Sequence, residues 1–366
     1  MENVSQKWSA GKCATGSRCL LLAARAVILL AACFISSLQA IEARPTKADD
    51  IRAAMTRAHD LRKKASGFNP LVAQTHALLL KSGDVRCGHA IVKVEKSNDS
   101  GAVYKLEEQF KAAMDDGLQS VVIDYAGTYA LDAGLALVSG ECSYQFDNMK
   151  NDGTRQKILH TAKMRVKNGK IEWEAAEKAD GDKEALKLDT KPVDLHGVMP
   201  IPRSALVAFV ALAGSQPNFK PNVKEAYCLP VLDVDWETNT LMIEPAWISV
   251  DEPIPAFSQK APPKGTAMQM RVRSLVGEVT EKGLEVETPV PGIWHNPQVW
   301  ALDEKFRPLA HPVPDDVRIN VEPIAPEKLK TDEPLDLSRI AQAMKEAVEK
   351  TEKEAAGSSK DKGEKK

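Results

Sequence analysis

Met164-Arg165-Val166-Lys167-Asn168-Gly169-Lys170-Ile171-Glu172-Trp173 decides how the middle of this chain folds. Asn168-Gly169 supplies the two positive-φ residues of a tight hairpin turn, and the alternation on either side lets Met164, Val166, Ile171 and Trp173 share one buried face. A turn this local implies an antiparallel sheet around it. Working outward, short runs rich in β-branched residues extend it into a meander over residues 120–125, 134–138, 142–146, 157–166 and 170–174. Residues 87–94 form an earlier strand that ends at the polar cluster Ser97-Asn98-Asp99-Ser100-Gly101. The charged stretch 175–192 is an exposed loop or a long hairpin.

A second β-rich region spans 227–236, 240–247, 267–276, 277–280 and 284–290. Met268, Met270 and Val272 alternate there with Gln269, Arg271 and Arg273, the pattern of a sheet with one wet face. Dense prolines at 253–263 and 308–326 mark extended connections.

Helical spacing appears in five places. From Thr46, residues Ile51, Met55, Ala58 and Leu61 recur at three and four, behind an acidic start at Asp49-Asp50. A second helix is expected over 70–80. Leu106, Phe110 and Met114 lie four apart and favour a helix over 104–114. Residues 204–214 are apolar on all sides, open on a capping Ser204 and close on Gly214; eleven residues are far too few to span a bilayer, so this is a buried helix. Leu337, Ile340, Ala341, Met344 and Val348 mark a final amphipathic helix, and the charged tail after Gly357 has nothing to bury and should be disordered.

The fold class that follows is α+β: mainly antiparallel β sheets, or a half-barrel-like curved sheet, in two β-rich regions with N-terminal, central and C-terminal helices. The expected divisions are an export signal at 1–40, N-terminal helices at 41–84, a first β-rich region at 85–200, a buried helix and connection at 201–225, a second β-rich region at 226–325, and a C-terminal helix and tail at 326–366.

The export signal rests on order. Lys7, Lys12, Arg18 and Arg25 precede an apolar run from Ala26 to Ile35, and Ala40 offers a small residue before a cut that would start the mature chain at Ile41. The run is too short for a spanning helix. Leu30-Ala31-Ala32-Cys33 also spells a lipoprotein cleavage box, but only seven apolar residues separate Arg25 from Cys33, so a lipid on Cys33 is the lesser expectation. Export implies a periplasmic or extracellular protein and an oxidising setting, where Cys87, Cys142 and Cys228 allow one bridge and one spare thiol.

Removing Lys7, Lys12, Arg18, Arg25 and Glu2 takes the formal net charge from -2 to -5. That mild acidity disfavours nucleic-acid binding, which needs a basic face. No phosphate-binding glycine loop, dinucleotide fingerprint, calcium loop or nucleophile elbow is present, and no cofactor is implied. Cys87 and His89 share a strand face, but two ligands make no metal centre.

Two groups of residues carry what chemistry remains. Asp233 and Asp235 alternate on one strand and would project together as an acid and base pair does, although the solvent side of a hairpin explains them as well. Trp294, His295, Asn296 and Trp300 combine broad rings with amide and imidazole groups, a composition suited to an apolar, carbohydrate or protein ligand, with core packing as the plainer reading. Two functional readings follow: a non-catalytic binding or structural protein of the cell envelope, or an exported hydrolase whose acid and base are scattered in sequence. A curved sheet with helices over its mouth is, by architecture alone, that of half-barrels carrying lipid-modified proteins across the periplasm; no motif here matches that family.

Overall fold

The computed structural model describes residues 48–360, apart from 116, 151, 218, 222–224, 252–263, 288–297 and 311–318. The sequence motifs at 1–47, including Cys33 and Ala40, lie outside the described residues.

The fold is α+β with mostly antiparallel sheets. Three α-helices are present among the described residues: α1 (Ala48–Lys64), α2 (Leu206–Gly214) and α3 (Leu337–Lys360). A ten-stranded sheet is built from β1 (Thr75–Ser82), β2 (Val85–Lys96), β3 (Tyr104–Asp115), β4 (Gln119–Leu131), β5 (Leu137–Lys150), β6 (Arg155–Lys167), β7 (Lys170–Ala179), β8 (Leu186–Lys187), β9 (Val193–Asp194) and, from far along the chain, β18 (Asn320–Pro323). Its order is β18-β1-β2-β3-β4-β5-β6-β7-β8, with β9 pairing a separate stretch of β7. A six-stranded sheet, curled as a half-barrel, contains β10 (Ile201–Pro202), β11 (Tyr227–Asp235), β12 (Thr240–Asp251), β13 (Met268–Ser274), β16 (Gln298–Leu302) and β17 (Pro308–Ala310). A small pair, β14 (Gly277–Thr280) and β15 (Gly283–Val286), completes the set.

The opening hairpin folds as its residues dictate. Asn168 and Gly169 adopt φ of 50° and 75°, Val166 pairs with Ile171 and Met164 with Trp173, and Met164, Ile171 and Trp173 are buried. Alternate residues of the large sheet, among them Leu106, Tyr129, Cys142, Met164 and Trp173, meet α2 and the inner side of the six-stranded sheet in one continuous core, while Val121, Ile123 and Phe146 form a separate cluster. Helix α2 fills the curve: Leu206, Val207, Phe209, Val210 and Leu212 are all buried, each contributing about 2 kcal/mol by area removed from water.

Several expectations are corrected. Residues 70–80 do not form a helix but lead into β1, and 104–114 is β3. Ser204 does not cap α2: it lies within a 3-10 turn (Arg203–Ala205), and Ala205 occupies the cap position without a side-chain hydrogen bond. Gln269, Arg271 and Arg273 do not face water, being 6%, 4% and 8% exposed; Arg271 meets the equally buried Asp251 at 3.3 Å. Helix α3 continues past Gly357 to Lys360, and residues 361–366 lie outside the described residues.

Helix α1 packs Ile51 and Ala54 against Cys228, Trp247 and Leu275, and Arg57 donates to the Ala226 carbonyl at 2.6 and 3.0 Å. Helix α3 lays Ile340 and Met344 over Cys87 and Ala113. Cys87, Cys142 and Cys228 are all buried free thiols.

Candidate functional site

Strand register lines up three inward rows on the ten-stranded sheet. The first joins Val94, Leu106, Tyr129, Gly140 and Met164; the second joins His76, Val92, Glu108, Gly127 and Cys142; the third joins Leu78, Ala90, Phe110, Tyr125, Tyr144 and His160. The second and third rows place ionisable groups on a face that is otherwise apolar. That contrast defines the candidate site.

Tyr129 is its floor. The ring lies along the sheet because Gly127 and Gly140 leave it room: a Cβ on Gly140 would fall 2.4 Å from its Cδ1, and one on Gly127 would fall 2.7 Å from its Cε2. A glycine inside a strand often marks such a close approach. Laid flat, Tyr129 brings its hydroxyl to that of Tyr125 at 2.6 Å, and Tyr125 donates to Glu108 Oε1 at 2.6 Å. Burial raises the Glu108 pKa, against the hydrogen bond from Tyr125 and the nearby hydroxyls of Ser204 and Tyr129, and the charge of Asp233 adds to the rise. Burial likewise lifts both tyrosines well above their ordinary value and pushes the Cys142 thiol up to about 12.

The start of α2 faces this cluster. Ser204 turns its hydroxyl toward the Glu108 carboxyl in a geometry short of a good hydrogen bond. Its neighbour Arg203 reaches Asp233 at 3.3 Å and Glu244 at 3.4 Å, with the three side chains 35%, 45% and 38% exposed. Ion pairs at that length and exposure hold little energy, so the rim groups can exchange partners readily. Between this turn and the sheet runs a narrow crevice lined by Gln74, His76, Val92, Ser204, Val207 and Ala208, with room for a water-sized molecule. Burial drives the His76 pKa down to about 4.

Of the residues singled out from sequence, Asp233 stands on the rim opposite Glu108. Asp235 does not join it: 7% exposed, it accepts from the Glu237 and Thr238 amides and shapes the β11–β12 turn. Trp300 is partly buried against the main core, opposite Met270. Trp294, His295 and Asn296 lie outside the described residues. Cys87 and His89 share a face beneath α3, where His89 Nδ1 is 3.0 Å from Arg86 Nη2; no group of three or more metal-ligating side chains occurs among the described residues.

Glu108, Tyr125, Tyr129, Ser204, Arg203 and Glu244 escape the sequence reading. The signal that finds them is the pair of glycines, Gly127 and Gly140, within otherwise unbroken strands, beside two tyrosines spaced evenly on one face.

No family model matches the chain, and no curated protein matches it. Among solved structures, a DUF1089 family protein from Pseudomonas aeruginosa is similar at 12% identity and TM-score 0.29, over 62% of this chain and 90% of that one. A beta-barrel-like protein of the domain of unknown function DUF1849 from Brucella abortus is similar at 12% identity and TM-score 0.35, over 68% of this chain and 94% of that one. Likeness at this level gives no correspondence between residues.

Proposed function

We propose that the protein is an exported, non-catalytic binding protein of the cell envelope that takes a small hydroxyl-bearing ligand, of the carbohydrate class, at the Arg203 rim above Glu108. The observation that carries the reading is the convergence of Glu108, Tyr125 and Ser204 on one point beneath a half-exposed rim of Arg203, Asp233 and Glu244. Carboxylates and a guanidinium that are weakly committed to one another offer the paired donors and acceptors a sugar's hydroxyls require. An apolar ligand has less to recommend it, because α2 already occupies the curve of the sheet with its own side chains. Export is supported by the order of charge, apolar run and small residues before Ile41.

Binding is favoured over catalysis because burial suppresses the reactive forms: the Cys142 thiolate and both tyrosinates are disfavoured. The hydrolase reading keeps one observation, a buried Glu108 whose pKa is raised by burial, as a general acid requires. Titration calorimetry with a panel of mono- and disaccharides, with product followed by NMR in the same samples, separates the two. Saturable heat without product, weakened at least tenfold by Arg203→Ala, supports binding; turnover abolished by Glu108→Gln replaces it with the hydrolase; no heat from any sugar overturns the ligand class.

A further inference from the structure

We propose that the tip of the β11–β12 hairpin is an acid-released latch, in which Trp236 covers a histidine that stays buried only while it is neutral. The tip is where the two sheets touch through rings. Trp236 stacks on Tyr144 with centroids 6.1 Å apart and planes 10° from parallel, and it tilts over His160 at 5.7 Å. Tyr144 and His160 are direct register partners on β5 and β6, with centroids 6.2 Å apart, so the indole seats on a platform the sheet builds from adjacent strands. Trp236 thus makes two ring contacts across to the large sheet.

His160 is 6% exposed and its Nδ1 has no hydrogen-bond partner. Glu177, its register partner on β7, is the charged group facing the ring, with Oε2 3.8 Å from Nδ1. From β5 the facing group is Tyr144; from the hairpin it is the Trp236 ring, since the Asp235 carboxylate beside it is turned into the Glu237 and Thr238 amides. A neutral imidazole suits this enclosure. An imidazolium would need water or a close carboxylate at Nδ1, and Glu177 is too far for a hydrogen bond.

The direction of the pKa agrees: burial lowers it, outweighing the raising effect of Glu177. A histidine whose pKa is depressed on docking stabilises the docked tip above about pH 6.5, and that contribution is lost as pH falls below it toward the docked value. Each unit of depression is a tenfold change in the docking equilibrium. Acid therefore frees Trp236 and uncovers Tyr144, whose neighbour across the strand is Tyr125, the residue that donates to Glu108. The latch stands apart from the ligand reading, because its test uses no ligand.

The test is hydrogen exchange of the 235–239 amides in the full chain between pH 7.5 and 5, corrected for intrinsic exchange, with acrylamide quenching of tryptophan alongside. Tip protection in the wild type should fall several-fold or more across that range, while amides of β4 and β5 stay protected. His160→Gln should remove the pH dependence. Glu177→Gln should move the loss to higher pH, because removing the carboxylate makes the docked imidazolium harder still to tolerate. A wild-type tip that stays protected at pH 5, or an unchanged profile in His160→Gln, overturns the latch; if His160→Gln does not fold, the same profile in Glu177→Gln and wild type overturns it.

Discussion

Phe306 sets the end of its ring against the α-carbon of Gly214, so closely that a Cβ on that glycine would fall 1.8 Å from Cζ. Position 214 thus needs glycine for lack of a side chain and not for a left-handed turn; the cap beyond it, Ser215, is right-handed. Phe306 is 7% exposed and cannot yield without leaving the core, and its own φ of 61° shows how firmly the turn presents it. Gly214→Ala should destabilise by about 3 kcal/mol, the upper end for overpacking, in urea unfolding. Adding Phe306→Leu should recover part of that loss, because the two sites are coupled.

The seat of Tyr129 predicts a different pattern. Gly140→Ala must displace the ring and should cost about 1–3 kcal/mol. Tyr129→Phe keeps the ring and removes one hydrogen bond, for about 1 kcal/mol. Thermal unfolding of the two variants checks the order; a larger loss from Tyr129→Phe would mean that the hydroxyl and not the ring organises the cluster.

His76 sets an acid limit on stability. Its pKa is pushed down to about 4 from an ordinary 6.5, mainly by burial, with Asp303 opposing and Arg307 assisting. The neutral form is the one the fold accepts, so its contribution is intact above pH 6.5 and declines as pH falls toward 4, by at most about 3 kcal/mol. Unfolding free energies measured from pH 7.5 to 4 should flatten in His76→Gln relative to wild type.

Cys87, Cys142 and Cys228 should resist alkylation in the native protein at pH 8. Cys142 and Cys228 are pushed up to about 12 by burial, and Cys87 is fully enclosed. Mass mapping after iodoacetamide should find Cys87, Cys142 and Cys228 unmodified until denaturant is added, and reducing agent should leave the melting temperature unchanged.

What could be read from sequence was what is decided locally. Asn168-Gly169 dictates a turn by backbone preference alone, so that hairpin was legible, as were α1 and α2 from their patterns. β3 was not, for an arithmetic reason: Leu106, Phe110 and Met114 are four apart, and four is a multiple of the strand period as well as a near-turn of helix. Reading them as helical removed Glu108 from their face, and with it the centre of the Tyr125–Tyr129 cluster. Gln269, Arg271 and Arg273 misled in the same way, because alternation reports polarity and not exposure; Asp251 allows Arg271 to be buried. Asp235 was noticed for its charge and is used for its turn.

The large sheet ends in strands too short to copy. At one margin β7 is divided between β8 and β9, two residues each, and at the other β18 lies beside β17 of the second sheet. A sheet of ten strands would ordinarily expose long ladders of unpaired amides and carbonyls, the template for fibre growth. Among the described residues, each margin closes on strands of two to four residues, too short a ladder to template a second copy along this sheet.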